Sequence, residues 1–223
     1  MKLWSSRIKA YQRIGPHQHI ILEIIFGTLL GDSHIERKSY NTKNGIKLGS
    51  TRISFQQENN NVEYLMWLWK IFMEYGYCTI KKPNLKTKIG YKGKIIRYYK
   101  LHTFTFSSFN WIHDLFYPDG KNKVIPPKEE IHKFLTPLAL ACWIMDDGSK
   151  IQNTLKISTN SFCYSDIEMI TKVLLEKYDL KTSIHSAGVP NQYIIYIKKC
   201  SMKKLKKLVE PYFVKSMLYK LGK

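Results

Sequence analysis

Arginine is scarce in this chain. Of 36 cationic residues, 31 are lysine and five are arginine. Acidic residues are few as well, 17 in all, so the 223 residues carry a formal charge of +19. A well-ordered chain this short of anions points to a polyanionic partner. The four cysteines, Cys78, Cys142, Cys163 and Cys200, form no C-x-x-C pair and have no histidine cluster beside them. That argues against a zinc site and a disulfide framework, and they read as small, mostly buried, reduced thiols. No apolar run is long enough to span a bilayer, so no membrane association is expected. The first residues, MKLWSSRIKAYQRIG, are basic but have no hydrophobic signal core, which argues against secretion. Lys, Asn, Ile, Tyr and Phe, all with AT-rich codons, are abundant. That composition fits an organellar gene, mitochondrial before chloroplast, whose product needs no import signal.

What is present is a repeat. Residues 25–33 read IFGTLLGDS and residues 140–148 read LACWIMDDG. Each is an apolar, helix-like run with an aspartate at its eighth position, Asp32 and Asp147. With 44% apolar residues the chain is globular, and its length suits one large domain or two small ones. Each motif heads a similar stretch. After Asp32, a polar-alternating segment runs to Tyr40 and a turn-like NTKNG follows. GSTRISFQ then alternates as a strand, with Ile53 and Phe55 inward and Arg52, Ser54 and Gln56 outward. An amphipathic helix with the aromatic WLW in its core face ends at Gly76. Strands are predicted around 77–82 and 95–106, joined by the basic loop PNLKTKIGYKGK, and a helix over 109–116 closes the half. The second half repeats the order. Ser165 and Glu168 make a capping-box pattern for its middle helix, TSIHSAG and NQYIIYIKK a hairpin, and SMKKLKKLVEPYF a last helix. The expected fold is therefore α+β, with two pseudo-symmetric αββαββα half-domains. Residues 1–117 form the first, with a basic extension over 1–18; 118–135 form a linker; 136–223 form the second.

In the first motif Gly27 and Gly31 share one helix face, where missing side chains let another helix approach closely. A seam against Ala141 and Cys142 of the second motif helix is expected. The two acids fall at helix C-termini, where the dipole disfavours a carboxylate and a divalent cation would stabilise it. The carbonyls of Gly31 and Asp146 at those ends are candidate further oxygen ligands.

IFGTLLGDS and LACWIMDDG resemble the two motifs of a monomeric LAGLIDADG homing endonuclease. The tracts LTPLALACWIMDDGSK, KNKVIPP and KSMLYKL extend the resemblance, and the repeated strand–helix order covers nearly the whole chain. Phe26, Ser33, Cys142, Trp143 and Asp146 depart from the family letters, but both terminal acids are present. Alignment on Ala141 and Gly148 favours Asp147 over Asp146 as the second acid, and the doublet leaves that register open. The resemblance implies an antiparallel saddle-shaped sheet in each half and a two-helix interface between the halves. It implies a chain acting as a monomer that binds a long, asymmetric site in double-stranded DNA. One phosphodiester would be cut in each strand across the minor groove, promoting intron mobility. Asp32 and Asp147 would share two or three divalent ions, expected to be Mg²⁺. Lys123 in KNKVIPP and Lys220 in MLYKL match the family's paired basic residues, which polarise water or balance charge. Asn59 and Ser161 occupy matching positions after the first long strand of each half and are candidates to hold ordered waters.

The outward sheet faces would then read DNA. In the first half the candidates are His34, Glu36, Lys38, Tyr40, Arg52, Ser54 and Gln56, with Lys82 and Arg97 on phosphates. In the second they are Lys150, Lys156, Ser158, His185, Gln192, Tyr196 and Lys198. The strand phase over 95–106 is ambiguous, because aromatics occur on both parities. Two alternatives share the scaffold: a maturase that helps intron RNA fold, and a DNA-binding protein that does not cut.

Overall fold

The computed structural model of the protein describes residues 8–42 and 45–223. The first seven residues of the predicted basic extension and residues 43–44 of the NTKNG turn lie outside them. The chain runs α1 (His19–Leu30), β1 (His34–Thr42), β2 (Gly45–Glu58), α2 (Val62–Glu74), β3 (Leu85–Ile89), β4 (Ile95–His102) and α3 (Asn110–Phe116). After α4 (Lys128–Phe134) it repeats: α5 (Pro137–Asp147), β5 (Gly148–Ile151), β6 (Thr154–Ser158), α6 (Tyr164–Tyr178), β7 (Thr182–Ser186), β8 (Tyr193–Ile197) and α7 (Met202–Val209). The two sheets are antiparallel with matching strand orders, β1-β2-β4-β3 and β5-β6-β8-β7. The α+β class and the doubled αββαββα order are as the sequence predicts.

Two compact units form. One holds the chain up to Ile21 and from Asp32 to His113; the other holds Leu22–Gly31 and Asp114–Lys223. Most of α1 thus packs within the second unit, although the sequence repeat assigns it to the first half. α1 is buried on all sides from Ile24 to Leu30, as is α5 from Leu138 to Met145. Such all-round burial requires an apolar sequence with no polar face. Thr136 caps α5, its hydroxyl accepting from Ala139 N, and Pro137 occupies the first turn, where its missing N–H costs nothing. In the first unit Tyr64, Leu65, Leu68 and Phe72 of α2 are buried. Gly76, at φ +78°, closes that helix: its N–H donates to Met73 O and that of Tyr77 to Phe72 O. Of the WLW segment, Leu68 is buried while Trp67 and Trp69 are half-buried.

Four local expectations fail for identifiable reasons. Residues 77–82 form no strand, because Trp69 Nε1 donates to Thr79 O at 3.1 Å and ties this stretch to α2. The strand is instead β3, inside the segment predicted as a basic loop, and the chain reverses through Lys92 (φ +54°) and Gly93 (φ +76°). Ser165 caps nothing: α6 starts one residue earlier, with Cys163 at the cap and no side-chain cap bond. The predicted linker contains α4. Phe134 of this helix stacks on Phe26 of α1 with ring centroids 4.2 Å apart, and Lys128 pairs with Glu176 of α6. The cysteines are all free, but only Cys78 and Cys142 are buried; Cys163 and Cys200 are exposed. Burial pushes the Cys78 thiol up to about 12.

Candidate active site and nucleic-acid interface

Two helix ends meet in the second unit. A Cβ on Gly27 would lie 2.2 Å from Ala139 O, and one on Gly31 would lie 2.5 Å from Asp146 Cβ. Both glycines therefore serve close approach to α5, as expected, though the partners are Ala139 and Asp146 instead of Ala141 and Cys142. Gly31 and Asp146 hold the same seventh position of their motifs. Asp32, joined by a peptide bond to Gly31, is exposed, and Asp147 closes α5 half-buried.

Each of these helix ends receives a lysine. Lys123 Nζ donates to Gly31 O at 2.8 Å. Lys220 Nζ donates to Asp146 O at 2.9 Å, to Met145 O and, at 3.5 Å, to Ile144 O. The last four carbonyls of a helix lack intrahelical donors, and the dipole there favours a cation. The ammonium groups satisfy both needs. The lysines are not equal, however. Lys220 is only 6% exposed, whereas Lys123 is half-buried and has the Phe162 ring 6.0 Å away. The backbone just after Lys123 is held twice: Val124 N donates to Phe116 O, and Ile125 N to the Asp166 carboxylate at 3.2 Å. Asp166 gave no sign of this role in the sequence, because it reads as a first-turn acid of α6. Lys220 lies in a 3₁₀ segment, Lys215–Leu221, ended by Gly222 at φ +79°.

In the first unit Ile53 and Phe55 face the core and are nearly inaccessible. Alternation along paired strands then puts His34, Glu36, Arg52, Ser54 and Gln56 on the opposite, open face. Ser54 lies between His34 and His102 in register and is covered to 5% exposure. Lys38 falls where the β1–β2 register shifts, so alternation does not continue through it; beyond it, the exposed Tyr40 packs its ring on Gly49. Phe55 pairs with Leu101, which resolves the ambiguous phase of β4. Tyr98, Lys100 and His102 share the open face and were missed in the sequence for that reason. Arg97 has the core-face parity and lines a cavity of about 390 Å³ with Glu58, Asn59 and Lys94. Lys82 lies over the Trp69 ring of α2, 5.7 Å from its centroid.

In the second unit Leu155, Ile157, Ile195 and Ile197 are buried. Lys156, Ser158, Tyr196 and His185 share the open face, and Ser183, not singled out earlier, joins them. His185 lies edge-on to Tyr196, 4.8 Å between centroids, and one of its ring nitrogens bonds the Ser183 hydroxyl. Lys198 follows β8 with the same parity and is exposed; Gln192 accepts from Asn160 Nδ2. Lys150 pairs with buried Leu155 and so has the other parity, where its stem lies against Gly222. Ser149 takes the open face in its place. Ser161 is exposed in the turn before α6. Among the described residues no group of three or more His, Cys, Asp or Glu could by itself hold a metal, and no helix is long and apolar enough to cross a membrane.

Residues 22–205 match the model of the LAGLIDADG DNA endonuclease family. The chain is 45% identical over 215 residues to cytochrome b mRNA maturase bI2 of Saccharomyces cerevisiae, covering 94% of this chain and 49% of that protein. It is 35% identical over 158 residues to intron-encoded endonuclease ai4 of Dictyostelium discoideum, covering 70% of this chain and 98% of the relative. The chain thus spans about half the length of the yeast relative. Among solved structures, the homing endonuclease I-WcaI bound to its DNA recognition sequence superposes with a TM-score of 0.82 at 24% identity, over 98% of this chain and 94% of the other.

Proposed function

The chain belongs to the LAGLIDADG DNA endonuclease family, and from that premise we propose that it is a site-specific double-strand DNA homing endonuclease. It acts as a monomer on a long asymmetric target, hydrolysing one phosphodiester per strand across the minor groove, and so promotes intron mobility. The observation that supports this best is the matched pair of helix ends. Each offers a terminal aspartate, an end carbonyl and a lysine donating to that carbonyl. Structural lysines of a plain core have no reason to recur at the same motif position in both halves.

The donor set fits a hard divalent ion. The carboxylates of Asp32 and Asp147 and the carbonyls of Gly31 and Asp146 would be its oxygen ligands from the protein, too few to cage a metal alone but enough where phosphate and water complete the shell. Mg²⁺ is the expected ion, and when bound it supplies Lewis acidity at the phosphate oxygens and a more acidic water. The chain's own residues do the rest. Asp32 and Asp147 supply negative charge beside the scissile phosphates. Lys123 and Lys220 hold the helix-end carbonyls, and their positive charge there would offset the charge that develops on the leaving oxygen as the water oxygen bonds to phosphorus. The open sheet faces position the duplex through lysine contacts to phosphate and polar contacts to base edges. A mitochondrial location follows the relative named for cytochrome b mRNA.

Plasmid linearisation at an intron-insertion sequence, with Mg²⁺ present and then chelated, tests the reading. Asp32→Asn and Asp147→Asn should each abolish double-strand cutting while leaving DNA binding in place. Undiminished cutting by either variant would refute the assigned chemistry. The 45% identity to a protein named as an mRNA maturase favours one second reading, assistance to intron RNA folding on the same scaffold. Splicing help that persists in both Asn variants supports it.

A further inference from the structure

The lysine-rich surface leaves the few arginines to be explained. Arg13 is buried and donates to Thr105 O. Arg37 donates through Nε to Gly49 O. Arg97 has the core-face parity. Among the described residues, Arg52 is the one arginine on the open face of the first sheet. Its neighbour across β1–β2 is Glu36, and the two are in direct register. Arg52 Nε and Nη2 both engage the same oxygen, Glu36 Oε2, at 2.8 and 2.7 Å. Nη1 has no protein partner among the described residues, and the side chain is 34% exposed.

We propose that Arg52, clamped by Glu36, is a specificity-determining residue that reads a guanine in the major groove of the target. The inference rests on the endonuclease reading above. A phosphate contact is the obvious alternative, but the pairing argues against it. Glu36 cancels the guanidinium charge and would itself repel a phosphate, and lysines such as Lys86, Lys88 and Lys100 already supply plain positive charge on that face. A neutral base edge tolerates the ion pair. It also benefits from the clamp, because fixing Nε and Nη2 orders in advance a side chain that otherwise loses much rotamer freedom on binding. The outer Nη1–Nη2 edge then presents two parallel donors. Guanine answers with two acceptors, O6 and N7; adenine sets an amine beside N7, and cytosine and thymine offer no such acceptor pair. Glu36 is thus a positioning residue, not a base contact.

Selection from randomised duplex DNA by the full chain in chelator, followed by binding of single-site variants of the consensus, tests this. The wild-type chain should prefer guanine at one position by about tenfold or more. Arg52→Lys keeps the charge but loses the fork. It should reduce that preference below about threefold while the rest of the consensus and the salt dependence stay unchanged. Glu36→Gln should weaken the preference at the same position and at no other. Uniform weakening over all bases by Arg52→Lys, with a shallower salt dependence, would mark a phosphate contact and overturn the proposal. A wild-type chain that enriches no sequence overturns the endonuclease reading together with it.

Discussion

Replacing Lys220 by methionine should destabilise the protein far more than the same change at Lys123. The two lysines occupy equivalent places in the repeat but unequal surroundings. Lys220 is 6% exposed and donates to the carbonyls of Met145 and Asp146, with a marginal contact to Ile144 O. Hydrogen bonds to a charged group contribute about 1.5–3 kcal/mol each, so the first two amount to roughly 3–6 kcal/mol. Methionine fills most of the same volume and removes the cost of burying an ammonium, which returns roughly 1–2 kcal/mol. The expected net loss is about 3 kcal/mol. In a chain of this length that lowers Tm by roughly 6–12 °C. Lys123 donates to Gly31 O at 2.8 Å from a half-buried position where water can replace that bond. Its methionine variant should lose about 1 kcal/mol or less. Thermal and denaturant unfolding without DNA or metal decide the matter. If the two variants fall within 1 kcal/mol of each other, the asymmetric role assigned to the α5 end is wrong.

Two further perturbations follow from the packing and the titration of single residues. Gly27→Ala would force a methyl to within 2.2 Å of Ala139 O and 2.7 Å of Ala139 Cα; both are backbone and cannot step aside, so unfolding should show a loss of about 3 kcal/mol or more, and a near-neutral result would refute the close approach. His17 bonds Tyr77 Oη and Ser108 Oγ through its two ring nitrogens, and burial lowers its pKa to about 4. The folded state thus holds it neutral: its contribution is complete above about pH 6.5 and is lost as pH falls through 4. At pH 5 the loss should be about 1 kcal/mol, allowing for partial exposure. His17→Gln should show a flatter stability profile between pH 7 and 5 than the wild-type chain, and an unchanged profile would count against the assignment.

The legible parts of this protein were those written in periodicity and repetition. The two apolar runs could only be buried helices. The motif spacing gave two equivalent acids, and the alternation of GSTRISFQ placed Ile53 and Phe55 inward. Gly76 announced the end of α2. Where local signals competed, the sequence misled. The stretch 77–82 looks like a strand, yet a bond from Trp69 to Thr79 O ties it to α2, and the lysine-rich segment after it pairs as β3 despite its loop-like composition. Burial on one face cannot be read where aromatics lie on both, so the phase of β4, and with it Tyr98, Lys100 and His102, needed the pairing of Phe55 with Leu101.

The sequence by itself determined the class, the repeat, the basic character and the acids that end the two motif helices. All of these depend on contacts within a few residues or on composition. Tertiary structure alone decided what each acid's helix end is joined to. Lys123 reaches Gly31 across 92 positions, and Lys220 reaches Asp146 across 74. It also decided that Glu36 grips Arg52 from the neighbouring strand. Such pairings depend on strand register and on how closely two helices approach, and a linear order of residues does not encode distances between segments that far apart.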